Sequence, residues 1–529
     1  MPFAAQFVRL WTGMEIAVRM AAIQLPTVNA ILMQCYLKPI TRSLLLAGLL
    51  SSASLSAHSP MFPDNFKYDD SNEGERRVSA KGAESSSLPA NLCSEGLAGD
   101  YPCRNIDFQS LMTPEDLNAA GGNLNDIWGW SDPLTGQEIA IVGREGGISF
   151  VDVTTPDAPV LLAFLPAHGG GADAWRDVKV YQDHAFVVAD GNGNSNHGLQ
   201  VYDLTLLRDV TPGSTVTETS HMGGFGAAHN IAINEDSGYA YVLGSDQCSG
   251  GLFMVDIADP ANPGFSGCFS ADGYTHDAQC VTYRGPDTPY FDREICIAYN
   301  EDSITVVDVT DKSNPAQLSR ETYTGSQYTH QGWFLSDNHT YLIMNDELDE
   351  QNLGINTTSF IYDASVLSDL QQTGTYIAST SSIDHNLYSR DGLVFESNYR
   401  SGLRVLDGSQ VAAGQLSEVA YFDTIPCSDT AQFSGSWSTY VGFPSGNVVT
   451  SDVGNGLFVL TPDWTAITSN NPPGAGAPAT SPLCDTGSGG TPTPSPSSSG
   501  GGGGGGGSMP GLLFIVLLLS GRLMRSRRQ

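Results

Sequence analysis

From residue 120 to about 466, short apolar runs alternate with clusters of Gly, Asn, Asp and Pro, and the runs recur in a fixed order. The most regular run alternates apolar and polar positions and ends in Asp. It reads ISFVDV at Asp152, LQVYDL at Asp203, LFMVDI at Asp256, ITVVDV at Asp308, SFIYDA at Asp363 and LRVLDG at Asp407, then LFVLTP at Leu460, where the Asp is lost. Successive aspartates lie 44 to 55 residues apart. A second run precedes each of these: EIAIVG, HAFVVAD, YAYVLGS, EICIAYN, TYLIMND, GLVFESN and NVVTSD. Outer runs follow as PVLLAFL, GFSGCFS, AQLSRETY, GTYIAS and SEVAYFD, with none clear in the second unit. Period-two alternation rich in β-branched residues predicts strands. Repetition at this length, with several short strands per unit, predicts an all-β chain, a β-propeller of about seven four-stranded blades.

The pattern changes at both ends. Lys38 and Arg42 precede the apolar run Leu44 to Leu50, and small residues follow to Ala57, so residues 33 to 57 have the form of a secretory signal, with Met33 a second candidate start. Pro472 to Gly507 is rich in Gly, Ser, Pro and Thr and carries too few apolar side chains for a core, which marks a linker. Beyond seven glycines, Gly501 to Gly507, come a short apolar segment, Gly511 to Leu519, and Arg522, Arg525, Arg527 and Arg528. The apolar stretch is short against the roughly 20 residues of a stable membrane span, which favours transient anchoring. The expected organisation is an extension and signal over 1–57, a lead-in over 58–119, the propeller over 120–470, a linker over 471–508, and a short apolar helix with an arginine cluster over 509–529.

Charge narrows the partners. The chain holds 57 Asp and Glu against 24 Lys and Arg, a net charge of −33, which opposes nucleic-acid binding because phosphates must be neutralised by Lys and Arg. Cations are the better-matched partners, although most of this charge reads as solubility. Removing the signal removes Cys35 and leaves Cys93, Cys103, Cys248, Cys268, Cys280, Cys296, Cys427 and Cys484. An even number in an exported chain points to disulfides, and the spacing suggests Cys93 with Cys103, Cys248 with Cys268, Cys280 with Cys296 and Cys427 with Cys484. No CxxC pair is present to suggest a thiolate zinc site.

The VDV, VYD and VVD strand endings resemble the LVIVD repeat. Together with AHNIAINE (228–235), THDAQCVTYRGPD (275–287), REICIAYNED (293–302), THQGWFLSDNHTYLIMNDELDE (329–350) and DHNLYSRDGLVFESNYRSGLRVLD (384–407), they make residues 95 to 466 similar to the choice-of-anchor B family. That resemblance implies a propeller and a cell-surface or secreted location, and no settled activity. The glycine run, apolar helix and arginine cluster resemble the bacterial GlyGly-CTERM sorting tail. It implies processing by a rhombosortase-type protease after signal peptidase, with transient anchoring in the inner membrane.

Four histidines occupy one blade position, just before the innermost strand: His229-Asn230, His276-Asp277, His330-Gln331 and His385-Asn386. The first, second and last units have Asn125-Asp126, Arg176-Asp177 and the neighbourhood of Trp437 instead. Innermost strands line a propeller channel, so the four imidazoles are expected at one mouth. The loops between second and third strands open on the same face and carry Glu145, Asp190, Asp246, Glu301, Asp302, the run Asp346-Glu347-Leu348-Asp349-Glu350, Tyr399-Arg400 and Asp452. Imidazoles rimmed by carboxylates suit a divalent metal such as Zn, Mn, Fe or Ca, with His229, His276, His330, His385, Asp346 and Glu347 as candidate ligands. The competing account makes each histidine structural, bonded to the backbone of a neighbouring blade. Arg176 suits an anionic ligand or an acid partner. Asp190 to Asn196 resembles half a calcium loop but lacks its glycine and terminal glutamate, which favours a plain turn.

No G-x-S-x-G elbow, Walker loop or unpaired thiol marks a nucleophilic or nucleotide-dependent enzyme. Two functions remain. The favoured one is a secreted or surface-displayed binding module whose unknown ligand sits over the channel mouth. The alternative is a metal-dependent hydrolase with Glu347 or Asp346 as base.

Overall fold

The computed structural model describes residues 90–118, 122–191, 196–469 and 479–484. All belong to one compact unit, Ser56–Gln529, and the other, Met1–Leu55, lies outside the described residues. The signal, nearly all of the linker and the sorting helix lie outside them too, as do residues 192–195 of the Asp190 loop.

Seven sheets follow one another as blades, antiparallel apart from the short strand Ser214–Thr215, which pairs parallel to the outer strand of blade 1. Their innermost strands are Leu124–Ser131, Trp175–Tyr181, Asn230–Asn234, Asp277–Thr282, Thr329–Phe334, Leu387–Arg390 and Ser436–Tyr440, in blades 1 to 7. Each packs on the next, and the seventh packs on the first, which closes the ring. Burial on both faces explains the near-continuous apolar second strands such as Glu138–Arg144 and Glu294–Tyr299, buried at every position. An apolar cluster fills each gap between neighbouring sheets. Ile141 and Phe150 of blade 1 meet Val187 and Tyr202 of blade 2, and Ile297 and Tyr299 of blade 4 meet Phe334 and Met344 of blade 5.

The seam departs from the expected boundaries. The outer strand of blade 7 is Ile106–Met112, from the segment assigned by sequence to the lead-in, and it pairs with Gly456–Pro462. Tyr101–Arg104 adds to the outer edge of blade 6, where Cys103 faces Phe422. A strand brought from the far end of the chain closes the ring, and an edge left open would invite pairing with other chains. The fourth strand of blade 2, unseen in the sequence, is Ser220–Met222, only three residues long and reached through a helical turn at Leu204–Asp209.

The four disulfides are Cys93–Cys103, Cys248–Cys268, Cys280–Cys296 and Cys427–Cys484. Cys280 and Cys296 face each other on adjacent strands of blade 4. Cys93–Cys103 lies at the seam, and Cys427–Cys484 joins the loop after blade 6 to the end of the described chain. Among the described residues no helix is long and apolar enough to cross a membrane.

Candidate functional site

The four histidines do converge. Their rings form a continuous arc along the channel, with centroids 4.4 Å apart from His229 to His276, 4.3 Å from His276 to His330 and 4.5 Å from His330 to His385. Aromatic residues extend it, Trp175 beside His229 at 5.8 Å and Trp437 beside His385 at 4.8 Å. Backbone irregularity aims part of this arc: the blade 5 register shifts between Thr329 and Gln331, leaving His330 unpaired in the ladder, and the blade 7 register shifts around Trp437. A bulge of this kind redirects one side chain without unfolding the strand.

The structural account of the histidines holds for two of them. Nδ1 of His276 bonds the carbonyl of His330 at 3.1 Å, and Nδ1 of His385 bonds the carbonyl of Trp437 at 2.5 Å. Each therefore ties its blade to the next. The polar residues at the next position do similar work, Asn230 after His229 donating to the His276 carbonyl at 2.9 Å and Asp177 after Arg176 accepting from the Ile231 amide at 2.9 Å. A carbonyl partner fixes the proton on Nδ1 and leaves Nε2 with a lone pair. The backbone role and a ligand role are therefore compatible.

Glu347 sits against the His330–His385 end of the arc. Its carboxylate lies 3.6 Å from His330 Nε2 and 3.4 Å from His385 Nε2, and the Tyr399 hydroxyl donates to it at 3.0 Å. One ligand atom from each of His330, Glu347 and His385 lies within 4.8 Å of the others. For bonds of about 2.0–2.2 Å, the edge of a tetrahedron is about 3.3–3.6 Å. The site is buried, with His330 at 1%, His385 at 4% and Glu347 at 4% exposure.

Burial sets the protonation. It holds His385 down at about 3, and burial followed by neighbouring imidazoles keeps His276 and His330 well below their usual range. Burial pushes the Glu347 carboxyl up to about 8, against the pull of the Tyr399 hydroxyl. Neutral imidazoles around a carboxyl that has lost its solvation form an environment that a cation would relieve.

Other sequence candidates fall elsewhere. Asp346 is adjacent but spent: it accepts from the amides of Gln327, Tyr328 and Leu348 and from the Tyr323 hydroxyl, at 2.7 to 3.3 Å. His229 lies at the end of the arc, 3.3 Å from Asp190. Arg176 is fully buried, bonded to the Arg144 and Glu145 carbonyls, to Asp173 and to His197 Nε2. It finds an acid partner and has no face toward a ligand. The acidic run does not form a solvated rim, because Asp349 and Glu350 are buried, and burial pushes both carboxyls up, as it does that of Asp384. Sequence reasoning passed over Asp384. Its signal was that it precedes His385 where Thr275 and Thr329 precede His276 and His330.

Lys179 of the blade 2 innermost strand is buried 2.6 Å from Asp177 and 3.7 Å from Asp126. At the opposite mouth a cavity of about 510 Å³ is lined by Trp128, Lys179, Asp277, Gln331 and Trp333 among others, and none of the four histidines reaches it.

The LVIVD repeat model matches residues 225–270 and 295–321, which are blade 3 and the outer three strands of blade 4. No curated protein matches the chain in sequence. Similar solved structures include a protein from Lactobacillus plantarum (15% identity, 62% of this chain and 88% of that one, TM-score 0.40). The computationally designed Ika8 protein matches at 12% identity over 71% and 99%, with TM-score 0.40. Kuenenia stuttgartiensis hydrazine synthase matches at 12% identity over 61% and 91%, with TM-score 0.41. The chain thus carries LVIVD repeats on a seven-bladed propeller.

Proposed function

We propose that the chain is an exported propeller that acts as a binding module, with a divalent metal held at one channel mouth by His330, His385 and Glu347. The observation that carries the metal is the buried carboxylate of Glu347 lying 3.4 to 3.6 Å from two imidazole nitrogens. Two neutral imidazoles and a carboxylate suit zinc, manganese or iron better than calcium. His276 and His229 continue the arc as a supporting wall. The four disulfides and the signal-like residues 33 to 57 support export to an oxidising compartment, by way of signal peptidase and a rhombosortase-type protease.

The hydrolase alternative has the three-ligand set in its favour, since catalytic metals keep a free position. It lacks a base among the nominated residues: Asp346 is saturated by hydrogen bonds, and Glu347 stands between the imidazoles as a ligand. The depth of the site also favours a metal that organises the mouth over one that turns over substrate. Elemental analysis of the purified protein beside a His330→Ala/His385→Ala variant tests the metal. Stoichiometric zinc, manganese or iron lost in the variant supports the proposal. A metal-free wild type removes it.

A further inference from the structure

The innermost strands carry a second regular feature, toward the mouth away from the histidines. Three places after His330, His385, Trp437 and Asn125 stand Trp333, Tyr388, Tyr440 and Trp128, in blades 5, 6, 7 and 1. Three places after Arg176, His229 and His276 stand Lys179, Ala232 and Gln279, in blades 2, 3 and 4. The four aromatics are neighbours around the closed ring and touch in turn. Their centroids lie 5.1 Å apart from Trp333 to Tyr388, 5.3 Å from Tyr388 to Trp128 and 5.2 Å from Trp128 to Tyr440. Half of this layer is therefore aromatic, and the other half is small or polar.

The cavity of about 510 Å³ takes its walls from both halves, Trp128 and Trp333 from the first and Lys179, Ala232 and Gln279 from the second. Its volume falls within the roughly 300–1,000 Å³ of small-molecule sites. Both indoles are half-buried, and the buried Tyr388 meets each of them edge-on, at 75° and 70°, which props them in place.

The two cations in the lining are already answered. Lys179 lies 2.6 Å from Asp177 with its ammonium 4.7 Å from the centre of the Trp128 ring, and Arg284 pairs with Asp236 at 3.6 Å and with Asp292. Glu235, Asp236, Asp277 and Asp337 outnumber them in the walls, so an anionic ligand meets net repulsion. A cationic ligand finds the Trp128 face taken by Lys179 and a like charge beside it. A wholly apolar one would strip water from Asp277 and Lys179 and replace none of its hydrogen bonds. Neutral groups remain for a ligand. Gln279 accepts from the Phe334 amide through its oxygen at 2.8 Å and keeps its NH2 to donate; Thr282 accepts from the Asn234 side chain at 3.2 Å and keeps its hydroxyl proton.

We infer that this cavity binds a neutral saccharide, with the C–H face of a sugar ring against Trp333 and the ring hydroxyls on Gln279, Thr282 and Asp277. The negative face of an indole attracts the slightly positive C–H groups of a sugar, and amide, hydroxyl and carboxylate groups at its edge match the hydroxyls. The site is separate from the histidine mouth and does not depend on a metal there.

The test probes an array of neutral oligosaccharides with the full protein, measures any hit by titration calorimetry, and uses sialic acid and choline as charged controls. The wild type should bind a neutral glycan and neither control. Trp333→Leu and, separately, Gln279→Glu should weaken that binding by about 10-fold or more, while His330→Ala/His385→Ala should keep it. Gln279→Glu retains an acceptor for the Phe334 amide, so it tests the site even if loss of Trp333 disturbs the fold. A wild type that binds no neutral glycan, or that prefers choline or sialic acid, overturns the inference. Unchanged affinity in a folded Trp333→Leu or Gln279→Glu variant also overturns it, as does a loss confined to the histidine variant, which would place the sugar at the other mouth.

Discussion

His385 reaches two ways: its Nδ1 bonds the Trp437 carbonyl of the next blade at 2.5 Å, and its Nε2 faces Glu347 of the preceding blade at 3.4 Å. One imidazole therefore links three blades, and it shows how a residue that closes a ring can also serve a site.

Tyr399 meets two of the proposed ligands, donating its hydroxyl to Glu347 at 3.0 Å and packing its ring 4.7 Å from that of His385. Tyr399→Phe should keep the fold and weaken metal retention by about 10- to 100-fold, the usual cost of losing such an outer partner. Competition against a chelator of known affinity measures it.

His276 bonds the His330 carbonyl and packs between two imidazoles, yet lies outside the three-ligand set. His276→Ala should lower unfolding stability by about 1–3 kcal/mol and leave the metal content of the folded protein unchanged. Denaturant titration with metal analysis separates the two roles.

His197 is buried and takes a hydrogen bond from Arg176 on Nε2 at 2.8 Å while Nδ1 faces the Gly198 carbonyl at 3.0 Å. Burial first, then Arg176, lowers its pKa from 6.5 to about 3. Between those values the unfolded chain binds the extra proton, so this contribution is complete above about pH 6.5 and is lost as pH falls toward 3. The loss should reach at most roughly 5 kcal/mol, of which about 3 kcal/mol falls between pH 7 and pH 4. His197→Gln should flatten the acid side of the stability profile relative to wild type, measured by denaturant unfolding from pH 7 to 4.

Phe108 lies on the strand that completes blade 7, stacked on Tyr101 and Phe422 at 5.7 and 6.0 Å and edge-on to Phe458 at 6.3 Å. Phe108→Ala should cost about 3–5 kcal/mol, as for any buried core aromatic. A loss near zero in denaturant unfolding would mean that the segment is a detachable lead-in after all.

The repeat was readable because each blade repeats the same alternation, and the cysteine spacing matched the bridges because three pairs are local, 10 to 20 residues apart, and the fourth is the pair that remains. The closing strand escaped notice for a different reason. IDFQSLM alternates buried and half-buried positions, but its partner lies at the other end of the chain, and nothing local announces that pairing. The short fourth strand of blade 2 has too few residues to show any period. At the site, residue type placed His330, His385 and Glu347 together, since blade register alone brings them to one mouth. It could not separate Glu347 from Asp346, because one residue along a turn reverses where a carboxylate points. Asp384 was hidden for a different reason: its burial, with neither carboxylate oxygen hydrogen-bonded, comes from the folded ring and not from its neighbours in sequence.

The most direct test of the metal proposal is an anomalous-difference map from crystals of the purified protein, recorded above and below the absorption edge of whichever metal elemental analysis finds. The account predicts a single strong peak about 2 Å from Nε2 of His330, Nε2 of His385 and a carboxylate oxygen of Glu347. A map without that peak, with Glu347 hydrogen-bonded directly to the two imidazoles, would contradict it and leave the histidine arc as a structural ring.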